Sequence, residues 1–267
     1  MTNLTTQPDG IKARLAKDGF AVVDLLDRDD LQALGDAYRA SPLPADAGFD
    51  STILGSDVAL RVAVDRAVRA VIEPRLRALI DGYRLAVCTF VVKRSGREDG
   101  EVPIHQDWSF VDETRHASFG VWCPLVDVDP TNGCLSVVKG SHAAGHPPRA
   151  ACSSFLYPGL EELLRRRYLT DLPMRAGQAA LFDNRLFHCS PPNRGGTDRV
   201  AATAIMVPTA ARLRYYHMLD RRHPHRVEAF DVADDFYLSH LVPGRPAAAV
   251  SLGVLDIRET AAAPPAR

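Results

Sequence analysis

The chain has 267 residues, 46% of them hydrophobic and 24% charged, and carries a formal net charge of −1. That length permits one substantial core, and the ordinary composition excludes a disordered or fibrous chain. A charge this close to zero provides no long-range attraction for nucleic acid or an anionic membrane, so a small molecule is the expected partner.

No apolar stretch approaches the ~20 residues that cross a bilayer, and residues 1–7 lack the basic and apolar regions of a signal peptide. The expected location is cytoplasmic. The five cysteines, Cys88, Cys123, Cys134, Cys152 and Cys189, are an odd, scattered set without a CxxC pair. They indicate neither a disulfide framework nor a zinc ribbon, and buried, reduced thiols are expected.

The first elements read as a helix over 10–18, a short apolar strand over 20–24, a helix over 29–40 started by Asp27, Asp29 and Asp30, and a helix over 57–80. Between the last two, residues 41–56 contain Pro42, Pro44 and two glycines, a loop composition suited to overhanging a cleft. From Tyr83 the period changes to that of strands. A buried strand fits 85–93, a polar loop 94–100, and then a strand carries His105, Gln106 and Asp107. Further strands fit 118–125, 135–138, 179–182, 187–190 and 200–207, with a helix inserted over 160–168. Short strands between Gly, Pro, Asn and Asp turns predict a mostly β fold with flanking helices, a double-stranded β-helix or cupin-like jelly roll. The expected organisation is one domain over 1–267. It has a helical part over about 1–82, a jelly-roll core over about 83–208 and a less regular segment over about 209–267 that ends in a mobile Ala-Pro tail.

Two residues apart on a strand, His105 and Asp107 point the same way while Gln106 faces the opposite side. With His188 they supply two imidazoles and one carboxylate, the facial triad of a mononuclear non-heme Fe(II) site. A Pro-Pro-Asn-Arg-Gly-Gly run, residues 191–196, reads as a hairpin connection. It would set the strand of His188 beside the strand that starts at Arg199. A guanidinium there holds a carboxylate through two parallel hydrogen bonds, and Ser190, on the face of His188, can add a third. The pattern suits a 2-oxo diacid chelated to the metal at one end and to Arg199 at the other.

Between residues 85 and 208 the chain resembles the phytanoyl-CoA dioxygenase family of Fe(II)- and 2-oxoglutarate-dependent oxygenases. The resemblance rests on ordered motifs: His105-Gln106-Asp107, the run from Trp122 to Val128, Asn132-Gly133-Cys134-Leu135, Lys139-Gly140-Ser141-His142, the run from Leu181 to His188, and Arg199. It implies His105, Asp107 and His188 as iron ligands, Arg199 and Ser190 on the distal carboxylate of 2-oxoglutarate, and Trp122 and Thr89 beside that cosubstrate. Lys139 and Cys134 stand where the family often has proline, which touches loop conformation and not the iron. The implied activity uses O2 to hydroxylate an unactivated C–H bond of a small molecule, a natural-product or other metabolic intermediate, with release of succinate and CO2. The carboxylate of Asp107 argues for oxygen transfer, because a halide-transferring relative leaves that coordination position for chloride. Desaturation, cyclisation and epimerisation use the same cofactors and stay open. So do a non-catalytic jelly-roll binding protein and a cupin-like enzyme using another divalent metal.

Several residues are candidates to line the substrate cavity: Phe110, Asp112, Glu113, Arg115, His116, Arg185, Tyr215 and Tyr216. His142 and the pair His223 and His225 are expected to make loop hydrogen bonds and not to bind metal.

Overall fold

The computed structural model describes residues 8–41, 43, 45–151, 155–157, 159–220 and 222–260. Pro42, Pro44, Cys152, residues 1–7 and the Ala-Pro tail lie outside the described residues. The chain begins with α1 (Pro8–Asp18), β1 (Phe20–Asp24), α2 (Arg28–Ala40), β2 (Phe49–Ser51) and α3 (Val58–Arg77). The central run is β3 (Tyr83–Lys93), β4 (Val102–His105), β5 (Phe119–Pro124), β6 (Leu135–Val138), α4 (Glu161–Arg167), β7 (Leu169–Leu172), β8 (Gln178–Asp183), β9 (His188–Ser190) and β10 (Arg199–Pro208). It is followed by β11 (Leu213–Met218), β12 (Arg226–Val232), α5 (Phe236–Ser239) and β13 (Val250–Asp256).

The strands form a six-stranded sheet, β1-β8-β5-β10-β3-β2, a four-stranded sheet, β4-β9-β6-β7, and a three-stranded sheet, β11-β12-β13. Every pairing between these strands is antiparallel. The expected jelly-roll architecture is present in the first two sheets.

Alternation explains why the large sheet is buried on both faces. Leu85, Cys88, Phe90 and Val92 of β3, Val121 and Cys123 of β5, and Ala179 and Leu181 of β8 pack against the helices through Ile11, Leu34, Val64, Val68 and Ile72. The intervening Trp122, Ala180, Phe182 and Ala201 turn inward and meet Leu135, Val137 and Leu172 of the small sheet. The helix starts follow local chemistry. Asp27 accepts from the backbone N–H groups of Asp29 and Asp30, and Asp30 reaches back to the N–H of Asp27, which closes a capping box on α2. Asp57 caps α3 through the N–H of Leu60.

Three expectations need correction. The strand of His105 ends there, and Asp107 stands in the irregular segment beyond it. A register shift between Val102 and His105, around a proline that has no N–H for the ladder, bends the chain out of the sheet. The strands of His188 and Arg199 do not form a hairpin either. β9 pairs with β4 and β6, whereas β10 pairs with β3 and β5, so the link crosses from one sheet to the other. Finally, the segment after residue 209 is regular: it forms the three-stranded sheet, whose Tyr215, Phe230 and neighbouring Tyr237 pack on Val87, Phe110 and Val111.

The sheet crossing has a physical cause in Lys93. Its buried ammonium donates to the carbonyls of Gly100, Ser190 and Pro191 at 2.6, 2.9 and 2.6 Å. Asn193 adds bonds from its amide to the carbonyls of Lys93 and Thr197. Burial and the Arg199 charge pull the Lys93 ammonium down to about 7. Three acceptors, one more than a neutral amine can serve, hold it protonated.

Gly133 lies against this anchor with φ +86°, and a Cβ there would sit 2.8 Å from Lys93 Cδ and 2.9 Å from Pro191 O. The lysine stem cannot swing aside because its ammonium is pinned. Gly133→Ala is therefore expected to destabilise the fold by about 2–4 kcal/mol, combining left-handed strain with the collision. Urea unfolding measures it, and a loss within experimental scatter of zero contradicts the pinned arrangement.

Candidate active site

His105 closes β4 and His188 opens β9, and the two are paired across the ladder with ring centroids 4.1 Å apart. Each ring is oriented by its own chain. His105 Nδ1 lies 2.9 Å from Pro103 O, and His188 Nδ1 lies 2.9 Å from Leu186 O. A carbonyl can only accept, so Nδ1 donates in both rings and leaves Nε2 as the atom that each ring can offer a metal. Both Nε2 atoms face the carboxylate. Asp107 Oδ1 stands 3.9 Å from His105 Nε2 and 3.7 Å from His188 Nε2.

These separations exceed hydrogen-bond length. One candidate ligand atom from each of the three residues lies within 4.8 Å of the other two. Among the described residues this is the one group of His, Cys, Asp and Glu side chains so placed. Burial first, and the neighbouring His188 ring second, hold His105 well below the ordinary imidazole range, in the neutral form that ligates metal. A third of its side-chain surface is open, but to a cavity whose lining is largely apolar, so desolvation still acts. Two imidazole nitrogens and a carboxylate oxygen converge here, and a bound cation would accept from all three at once. The donor set fits a metal ion.

The same cavity, about 250 Å³, is lined by all seven residues named from sequence: Thr89, His105, Asp107, Trp122, His188, Ser190 and Arg199. Arg199 is only 2% exposed, and its Nε and Nη1 have no hydrogen-bond partner. The guanidinium carbon lies 5.2 Å from the centre of the Trp122 ring, a cation–π contact. Burial pulls the Arg199 guanidinium down to about 9, still above neutrality, so a cation faces the cavity and no carboxylate among the described residues pairs with it. Unpaired buried charge is unfavourable unless an anion joins it. The cavity therefore fits an acidic ligand at this end. Thr89 is tied to Thr203, its partner across β3 and β10, by a 2.8 Å bond between hydroxyls.

Apart from Ser51 and Thr203 the rest of the cavity wall is apolar, with Phe49, Ile53, Leu54, Trp108, Phe110 and Ile205 among its residues. Three of these come from the segment expected to overhang a cleft. Of the other proposed lining residues, Phe110 alone lines this cavity. Arg185 lines a separate depression with Tyr83, Phe119 and His142. Asp112 pairs with Arg214, Glu113 with Arg149, and Tyr215 and Tyr216 are buried. Thr203 and Ile205 were not singled out from sequence, although the period of two along β10 from Arg199 places both on its inner face. His142 bonds to Ala16 O, and His223 to Asp220, as loop histidines should. Cys88, Cys123, Cys134 and Cys189 are free and buried. No helix among the described residues is long and apolar enough to cross a membrane.

Two packed antiparallel sheets holding a two-histidine, one-carboxylate cluster define a double-stranded β-helix protein with a mononuclear metal-site geometry. The chain belongs to the phytanoyl-CoA dioxygenase family, whose model matches residues 16–201. A phytanoyl-CoA dioxygenase domain-containing protein 1 homolog from Dictyostelium discoideum is 30% identical over 111 residues, 39% of this chain and 40% of that protein. The chain spans less than half the length of the curated relatives it matches. Among solved structures, the non-heme alpha ketoglutarate dependent epimerase SnoN from nogalamycin biosynthesis is similar at 23% identity and TM-score 0.56, over 77% of this chain and 85% of that one. HygX from Streptomyces hygroscopicus, with nickel, 2-oxoglutarate and hygromycin B bound, is similar at 15% identity and TM-score 0.56, over 75% of this chain and 87% of that one. The structural likenesses support the fold.

Proposed function

We propose that this chain is an Fe(II)- and 2-oxoglutarate-dependent oxygenase that hydroxylates an unactivated C–H bond of a small molecule. The observation that carries the reading is one cavity holding both a cluster of three side chains able to ligate a metal and a buried arginine with no counter-ion among the described residues. His105, Asp107 and His188 would hold the iron. Arg199 and Ser190 would take the distal carboxylate of 2-oxoglutarate, with Trp122 and Thr89 along its flank. Iron, 2-oxoglutarate and O2 together supply an oxidant able to take hydrogen from carbon, with succinate and CO2 released.

The chain's own contribution is placement. The Nδ1 bonds to Pro103 O and Leu186 O hold both imidazoles in the ligating tautomer before metal arrives. The carboxylate of Asp107 occupies the position that halide transfer would need vacant, which favours oxygen transfer. The apolar wall from Phe49 to Ile205 keeps water from the reacting carbon and favours an uncharged, carbon-rich portion of the substrate beside the iron. Cyclisation or epimerisation would use the same residues, and product analysis separates them.

The test is succinate release from 2-oxoglutarate in iron-loaded protein, with and without oxygen, across a panel of neutral apolar small molecules. Formation should need Fe(II), 2-oxoglutarate and O2 together and should rise with a molecule that fits the apolar wall. An absence of oxygen-dependent succinate across the panel overturns the reading and favours a ligand-binding role.

A further inference from the structure

Asp107 has no strand partner, because the ladder between β4 and β9 ends at His105. Its main chain is held by a side chain remote in sequence instead. Arg149 Nε donates to the Asp107 carbonyl at 2.7 Å. The same guanidinium clamps Glu113 with two parallel bonds, Nη1 to Oε2 at 2.8 Å and Nη2 to Oε1 at 2.6 Å. Its Nη1 also donates to Pro147 O at 3.1 Å. Ser109 completes the unit, its hydroxyl donating to Glu113 Oε2 and accepting from the Arg149 N–H while its own N–H donates to Arg149 O. The two charged side chains are only 3% and 7% exposed.

The contrast with Arg199 is informative. One buried arginine has every guanidinium nitrogen engaged by protein, and the other has two engaged by nothing. The first is built to hold a shape, the second to receive a ligand. What Arg149 holds is the segment from Asp107 to Glu113, which carries the carboxylate of the triad and the cavity-lining Trp108 and Phe110. Gln106 secures the other end of the segment by donating to Arg185 O at 2.7 Å.

The geometry points to Arg149, locked by Glu113, as the positioning residue that aims the Asp107 carboxylate at the metal in place of the strand partner that Asp107 lacks. The inference rests on the reading of Asp107 as a metal ligand. Outer partners of metal ligands tune affinity because they fix ligand direction, and their loss typically weakens metal binding by about 10- to 100-fold. Arg149→Lys keeps a buried cation but loses the planar fork and the separate Nε donor. Glu113→Gln keeps the shape of the acceptor but replaces one oxygen with a donor.

The probe is Co(II), whose visible absorption reports both affinity and ligand geometry, titrated into metal-free protein whose folding is verified by circular dichroism. Arg149→Lys should bind Co(II) about 10- to 100-fold more weakly than wild type, with an altered absorption envelope. Glu113→Gln should fall between the two, and the double variant should match Arg149→Lys, since the residues act as one unit. A pair that only stabilises the fold would lower the melting temperature and leave Co(II) affinity and spectrum unchanged. Either folded variant matching wild type in both readouts overturns the inference. The assignment underneath is tested separately: if Asp107→Ala binds Co(II) as wild type does, Asp107 is not a ligand and the proposed site fails first.

Discussion

Asp107→Ala is expected to eliminate oxygen-dependent succinate formation while the protein folds as before. The two effects separate cleanly because of what the carboxylate does and does not touch. Its closest polar neighbours are the two Nε2 atoms at 3.7 and 3.9 Å, beyond hydrogen-bond length. The main-chain carbonyl stays bonded to Arg149 in the variant. Truncation therefore removes no hydrogen bond of the side chain among the described residues. Metal-free thermal stability should match that of wild type. Function should respond in the opposite sense, because two neutral imidazoles are left without the only anionic donor of the cluster. Losing an outer-shell partner costs about 10- to 100-fold in affinity, and losing a ligand outright should cost at least about 100-fold in turnover at fixed iron. Succinate assays with titrated Fe(II), paired with calorimetry of the metal-free protein, check both halves. A variant that turns over normally removes Asp107 from the site, and one that unfolds shows that the carboxylate has a structural role the geometry does not reveal.

The sequence disclosed this site to the extent that its information was local. The continuous β-branched, apolar run of β3 announced a buried strand, and Asp27 announced the start of α2. The ordered motifs from His105 to Arg199, with Ser190 taken from the face of His188 and Thr89 from the family resemblance, marked seven residues, and all seven are among those that line the cavity. Sheet membership was not local. A Pro-Pro-Asn-Arg-Gly-Gly run reads as a hairpin, yet Lys93 captures Ser190 O and Pro191 O and diverts the chain to the other sheet. His188 and Arg199 still share the cavity, now from facing sheets instead of adjacent strands. Likewise, Pro103 was a break in the ladder that the strand reading of residues 102–107 passed over, and nothing around Arg149 announced partners 36 and 42 residues away. The last sheet was missed for a related reason: β13 is exposed on both faces along most of its length, so it lacks the burial alternation that betrays a strand.

Replacing Arg199 should move stability and function in opposite directions, and this follows from its two unpartnered nitrogens. In the ligand-free protein the guanidinium is 2% exposed, and its contact with Trp122 provides only part of what water would. Arg199→Met fills the same space without a charge to desolvate and should raise ligand-free stability by about 1 kcal/mol or more. The same change removes the bidentate partner of an incoming carboxylate. Truncating one member of a buried charge pair costs about 2–5 kcal/mol, so half-saturation by 2-oxoglutarate should rise by about 30-fold or more. Arg199→Lys, which keeps a cation but loses the fork, should lie between. Both tryptophans of the protein line the cavity, Trp122 beside Arg199 and Trp108 in the apolar wall. A Trp108→Phe background therefore makes Trp122 emission a direct report of the cosubstrate end. Thermal scans supply the linked measurement, since a ligand at 100 times its dissociation constant stabilises the folded state by about 2.7 kcal/mol. At equal concentration that stabilisation by 2-oxoglutarate should fall to about 0.9 kcal/mol or less in Arg199→Met. Unchanged half-saturation in folded Arg199→Met would move the carboxylate anchor elsewhere. A fall in its ligand-free stability would mean that the guanidinium is not an orphan charge held ready for an anion.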